Sequence, residues 1–419
     1  MSETLILPSP VSETGAVVHE RTAELLSAPR ILLLCKSTGT GPRRGAQAVG
    51  LALRALAPNA IIHDIDILQL EYAERQRRAV QKGIKMQEEQ PYHLARLYAE
   101  ADKPVDERRY FLSDRFRAWQ RDLRGRFGSY WFQRAFVPFL QSEPWDVIIN
   151  MGATGNMIAE LKQKGKVRAP QFLVLTDFYT HRANYAKFYE HYFVATEECA
   201  VHLQNLGVKK KRISITGTPI QPVFSETKTR DQCLRAQGLN GDRPIILQMT
   251  GGLGMGPVER IFSAMLTIKT PLEIVVVTGR NQELRQRLER ITIPPQHRAK
   301  ILGLTDQVDE LMRAADVLVS KSGGMTSAEA MACGLAMVII DPFPGLEAQN
   351  CDFLLENGVA IKNQHLETLP FQLTQLFNDA PRLAQMRSNA RRLGHPQSAF
   401  DIARKILQII RTAKGEAVM

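Results

Sequence analysis

The chain has 419 residues, 44% hydrophobic and 23% charged, with 54 Lys and Arg against 43 Asp and Glu and a formal net charge of +11. That length accommodates two domains with sizeable cores, and the composition is that of a globular protein. No apolar run approaches bilayer-spanning length, and the five scattered cysteines form no Cys-x-x-Cys pair, which argues against structural zinc and for a reducing compartment. The positive charge suits nucleic acid, an anionic membrane surface or simple solubility, so its location matters. Residues 1–28 carry Glu3, Glu13, Glu20 and Glu24, without the basic start and apolar stretch of a secretory signal, and read as a loose tail.

Arg30–Cys35 reads as a first strand, residues 36–41 as a polar loop with Gly39 and Gly41, and Ala46–Leu56 as a helix. This β-loop-α unit opens a doubly wound parallel sheet, with a second strand at Ile61–Leu68. From Glu71 to Arg134 arginines crowd the chain. Leu112, Phe116, Trp119, Leu123, Phe127 and Tyr130 share one helical face, with Arg115, Arg117, Arg121, Arg124 and Arg126 on the other sides. Two readings fit: a core-facing stripe with a solvated basic back, or a helix lying on an anionic membrane, with Trp119 and Trp131 at the acyl boundary and Arg124 at headgroups. No nucleic-acid module is recognisable.

The strand Gln171–Thr176 ends in Asp177, Phe178 and His181. Ligands in such sheets bind beyond the carboxyl ends of strands, which makes Asp177 and His181 the candidate acid-base pair. Gly217 and Pro219 make a rigid turn out of a first domain spanning 29–224, and the polar segment 225–243 reads as a linker with a short helical turn.

A second doubly wound unit, 244–395, begins at the strand Pro244–Met249. Four glycines in six residues follow (Gly251, Gly252, Gly254 and Gly256, with Met255 among them), then a helix from Val258. Such a loop lets backbone amides close on phosphate. Arg280, after the strand 273–278, is a further candidate for phosphate. The apolar strand Ala315–Val319 leads into Lys321-Ser322-Gly323-Gly324 and a helix from Thr326 that carries Glu329. Strand, tight turn and helix start make an anion site, with Glu329 placed to accept from a sugar ring beside the phosphate. The strand Ala336–Ile340 then leads to Gly345, Glu347, Gln349 and Asn350, groups suited to sugar hydroxyls. Helices are expected at 351–357, 366–377 and 382–392, with a last one in the segment 396–419.

These loops resemble those of glycosyltransferase family 28. The Gly-Gly loop at Gly323 and Gly324, the ribose-type Glu329, and Pro344, Gly345, Glu347 and Asn350 fit its donor half, with Leu346 at the usual Gln. Residues 251–257, Gly-Gly-Leu-Gly-Met-Gly-Pro, resemble a motif of monogalactosyldiacylglycerol synthases that faces the nucleotide diphosphate. The runs Thr176–His181, Tyr192–Thr196 and Thr216–Ile220 resemble processive diacylglycerol glucosyltransferases. Pro42 stands where the family's first loop carries a His implicated in catalysis.

The resemblance implies the GT-B architecture: two Rossmann-like domains facing a cleft, with the last helix crossing back to the first domain. It implies inverting transfer from UDP-galactose or UDP-glucose to diacylglycerol, with the UDP-sugar as co-substrate and no cofactor or metal. It also implies docking at the inner face of a membrane from the cytoplasm, and it favours the membrane reading of Trp119, Arg124 and Trp131. With Pro42 in place, the base falls to Asp177 or His181. A nucleotide- or lipid-binding regulatory protein, or transfer to another hydrophobic acceptor, remain the alternatives.

Overall fold

The computed structural model describes residues 28–36, 40–67, 136–152, 158, 161–181, 184–185, 188–249, 251, 256–342 and 345–415. Two six-stranded, wholly parallel sheets organise it, as the sequence reading expects of a doubly wound pair. In the first lobe β1 (Arg30–Cys35), β2 (Ile61–Asp66), β3 (Val147–Met151), β4 (Gln171–Val174), β5 (Tyr189–Val194) and β6 (Ile213–Ile215) lie in the order β2-β1-β3-β4-β5-β6. Every residue of β3 and β4 is buried, because helices cover both faces of a parallel sheet. The edge strand β2 exposes His63 and Asp64.

In the second lobe β7 (Ile245–Met249), β8 (Glu273–Val277), β9 (Arg298–Leu302), β10 (Val317–Ser320), β11 (Ala336–Ile340) and β12 (Ala360–Asn363) lie in the order β12-β11-β10-β7-β8-β9. The chain winds outward from β7 through β8 and β9, then restarts on β7's other side with β10. The loops after β7 and β10 therefore diverge over one crevice, the switch point where such sheets bind ligands.

Among the described residues, the helices with both ends defined are α1 (Thr40–Leu56) and α2 (Glu197–Asn205) in the first lobe, then α3 (Arg230–Gln237), α4 (Val258–Met265), α5 (Gln282–Glu289), α6 (Val308–Ala314), α7 (Gly324–Ala332), α8 (Leu346–Glu356), α9 (Leu369–Asn378), α10 (Ala380–Leu393) and α11 (Ser398–Lys414). Along α11, Ile402, Ile406 and Ile410 repeat every four residues, flanked by Ala399, Ala403 and Leu407. That stripe packs with Ile31, Leu33, Val49, Leu53 and Phe172, so the end of the chain closes the core of the first lobe.

The segment 225–243 is not a free linker. Thr229 and Gln232 form a capping box on α3, and Cys233, Leu234 and Leu239 enter the second lobe's core. Lys228 reaches Asp309 at 2.8 Å and Glu310 at 3.3 Å on α6. Its polar composition belongs to the outward face of a packed helix. The two crossings between lobes run side by side. Gly217, at φ +78°, lies under the His395 ring, and Ile220 N–H donates to Ser398 Oγ at 3.2 Å. Among the described residues no helix is long and apolar enough to cross a membrane.

Candidate active site

Three turns of the second lobe converge beyond its strands. After β7, Gly251 and Gly256 hold φ of +77° and +107°, the left-handed region that glycine enters without strain. Gly252, Gly254 and Met255 lie outside the described residues. A Cβ on Gly256 would stand 3.3 Å from Lys321 Cε and 3.5 Å from its Nζ, so the first two turns touch through that lysine. After β10, Ser322 is fully buried and its Oγ donates to the Glu347 carbonyl at 2.6 Å, tying the second turn to the third. The first turn of α7 has no side-chain cap, which leaves its N–H groups and dipole for an anion. Thr326 and Glu329 are buried in α7, and Gly345, at φ +102°, admits α8 with Glu347 in its first turn. Arg280 lies exposed in the turn after β8, beside the Asn281 cap of α5.

The first lobe presses directly on these turns. A Cβ on Gly324 would stand 2.1 Å from the Thr176 carbonyl oxygen and 2.8 Å from Asp177 Oδ1, so only glycine permits the approach. Gly323 has room, its nearest neighbour being Glu347 Oε1 at 3.9 Å. Asn350 clasps the facing loop twice: its Nδ2 donates to Asp177 Oδ1 at 2.9 Å, and Phe178 N–H donates to its Oδ1 at 3.0 Å. Each amide atom of Asn350 keeps capacity for one further bond. Phe178 stacks on Phe353 of α8 with centroids 4.8 Å apart.

Burial pushes the Asp177 carboxyl above its ordinary range, opposed by hydrogen bonds from Asn350 and Thr176 and by the charge of His181. His181 is itself buried and interacts electrostatically with Asp177. The structure thus couples the two groups singled out at the end of the Gln171–Thr176 run. Behind them, Arg44 Nη2 of α1 meets Glu329 Oε1 at 2.6 Å. Gly41, in the first turn of α1, faces Met325 Cγ at 3.7 Å from where its Cβ would be. Gly39, Trp119, Arg124 and Trp131 lie outside the described residues.

The Monogalactosyldiacylglycerol (MGDG) synthase family matches residues 67–220, and Glycosyl transferases group 1 matches residues 230–393. A processive diacylglycerol beta-glucosyltransferase of Bacillus licheniformis is 32% identical over 264 residues, covering 63% of this chain and 68% of that protein. Its Bacillus subtilis counterpart is 30% identical over 275 residues, covering 65% and 72%. The chain belongs to this glycosyltransferase family. For the Bacillus pumilus member, at 29% identity, the match spans 66% of its length. Among solved structures, Acinetobacter baumannii MurG superposes with a TM-score of 0.58 at 16% identity, covering 91% of this chain and 99% of that one. Anabaena HepE in complex with UDP-glucose gives 0.51 at 14% identity, covering 92% and 99%. These two share the two-lobe fold.

Within the family frame, Pro42 occupies the first turn of α1. Lys321, Thr176 and Arg44 are the groups that sequence spacing passes over. Lys321 had a signal, since it directly precedes the Ser-Gly-Gly turn. Thr176 opens the Thr176–His181 run but acts through its backbone oxygen, and Arg44 acts through a partner 285 residues away and leaves no local pattern.

Proposed function

We propose that this chain transfers galactose or glucose from a UDP-sugar to the hydroxyl of diacylglycerol, inverting the anomeric carbon. The observation that carries this reading is the Asp177 carboxylate, held by Asn350 against the start of α7. An acceptor hydroxyl entering there gives its proton to Asp177 as its oxygen bonds to the anomeric carbon. The bond from that carbon to the diphosphate oxygen breaks, and UDP leaves with the electron pair. N–H groups of α7, the glycine turn at 251–256 and Lys321 meet the charge growing on the diphosphate. Glu329 accepts a ribose hydroxyl, and Glu347 faces the hexose. His181 tunes Asp177 by charge.

The relatives are named for diacylglycerol and glucose, and HepE carries UDP-glucose in its complex. Those names support the donor and acceptor classes. The aromatic and arginine residues of 112–130, which lie outside the described residues, are the proposed contact with an anionic membrane, reached from the cytoplasmic side. The purified chain, given labelled UDP-glucose or UDP-galactose with diacylglycerol liposomes, should form labelled glycolipid. Pro42 favours a second reading, nucleotide binding without turnover. Tight UDP binding with no product from either donor would select it.

A further inference from the structure

Glu329 is wholly buried, whereas Arg44 keeps 28% of its side-chain surface. A buried carboxylate needs partners for both oxygens, since an unmatched lone pair costs desolvation with no return. Arg44 satisfies Oε1, but Oε2 meets no hydrogen-bond donor among the described residues, and neither does the neighbouring Ser327 Oγ. The guanidinium comes from the opposite lobe. Across the cleft, Gly41 faces Met325 of α7, whose Cγ lies 3.7 Å from where its Cβ would be. Gly41 and Arg44 lie three residues apart on α1, Met325 and Glu329 four apart on α7, so the two helices meet along single faces.

We propose that Arg44 is a positioning residue for the donor: gripping Oε1 across the cleft, it holds Glu329 with Oε2 turned to accept a hydroxyl of the nucleotide ribose. The proposal rests on the ribose assignment of Glu329 made above. It goes beyond that assignment by making the ribose anchor a product of both lobes, complete only when they are closed. Burial pushes the Glu329 carboxyl up, and the Arg44 guanidinium opposes that rise.

The test compares UDP with 2′,3′-dideoxy-UDP by calorimetry, and donor KM with acceptor KM in turnover. The intact protein should prefer UDP by about tenfold, the size of one hydrogen bond to a charged group. Arg44→Met should lower UDP affinity by about the same factor and abolish the preference for the diol, leaving acceptor KM unchanged. Arg44→Lys should restore part of the preference. Should Arg44→Met fail to fold, Glu329→Gln with Arg44 intact reads the same preference. A preference lost in Glu329→Gln but kept in Arg44→Met overturns the role of Arg44 and spares the ribose assignment. A preference kept in both, or absent from the intact protein, removes the ribose assignment itself. An equal loss of UDP and dideoxy-UDP binding in Arg44→Met reduces Arg44 to a structural tie and overturns the proposal.

Discussion

The two lobes supply the cleft with different materials. The second brings much of its share as backbone, in glycine turns of left-handed conformation, an uncapped helix start and the Glu347 carbonyl tied by Ser322, beside the side chains of Lys321, Glu329 and Asn350. The first brings chiefly side chains, Asp177, His181 and Arg44, carried by the loop after β4 and by α1. A site built from backbone is indifferent to which residues surround it but demands glycine at fixed spacing. A site built from side chains demands particular groups, and tertiary packing alone brings them together.

The largest expected effect tests the side-chain half. Asp177→Asn should lower kcat by about three orders of magnitude, the worth of a general base. In the intact enzyme the acid limb of the rate profile should lie above pH 3.8, because burial raises this carboxyl. The same shift means that ionising Asp177 costs folding stability, which is lost as pH rises through its folded-state pKa. Asp177→Asn should therefore raise Tm at neutral pH while abolishing turnover. A lowered Tm with retained turnover would break the assignment.

Next comes the backbone half. Gly324→Ala places a methyl against the Thr176 carbonyl and should cut kcat/KM by about a hundredfold, near 3 kcal/mol of lost closure. Gly323→Ala, with space around it, should change far less. Equal effects would mean that packing across the cleft does not govern activity.

A smaller effect concerns the hinge. Gly217→Ala meets both a left-handed φ and the His395 ring and should cost about 2 kcal/mol of stability by urea unfolding. Gly238→Ala, left-handed at the end of α3 with nothing within 4 Å, should cost about 1 kcal/mol. An effect of similar size lies in the first lobe's core. There burial pushes the His191 imidazole, packed between Phe172 and Phe193, down from 6.5 to about 4. Between those values the unfolded chain binds a proton that the folded chain refuses, so stability falls as pH drops from 6.5 toward 4. After allowance for screening this amounts to about 1–2 kcal/mol, and His191→Phe should flatten that slope.

What the sequence disclosed follows the same division. The strands before Gly251 and Ser322 are mostly apolar and buried throughout, and the glycines after them are spaced for a turn, so the second lobe's switch point was readable from local pattern. The region 225–243 reads as a linker with a short helical turn because its exposed residues are polar, while Cys233, Leu234 and Leu239, which enter the second lobe's core, are too few to mark a packed helix. Asp177 and His181 were legible as ionisable groups at a strand's end, but the Asn350 clasp was not, since it joins residues 173 apart in sequence. Arg44 was hidden for the same reason, and Asn350 showed only its capacity for sugar hydroxyls.

Because α11 fills the core between α1 and the first sheet, the first lobe depends on residues made long after its own strands. While residues 220 to 397 are being made, Ile31, Leu33, Val49 and Phe172 wait with one side uncovered. Clipping before Ser398 should uncover the face formed by Ile31, Leu33, Val49 and Phe172 and destabilise the first lobe.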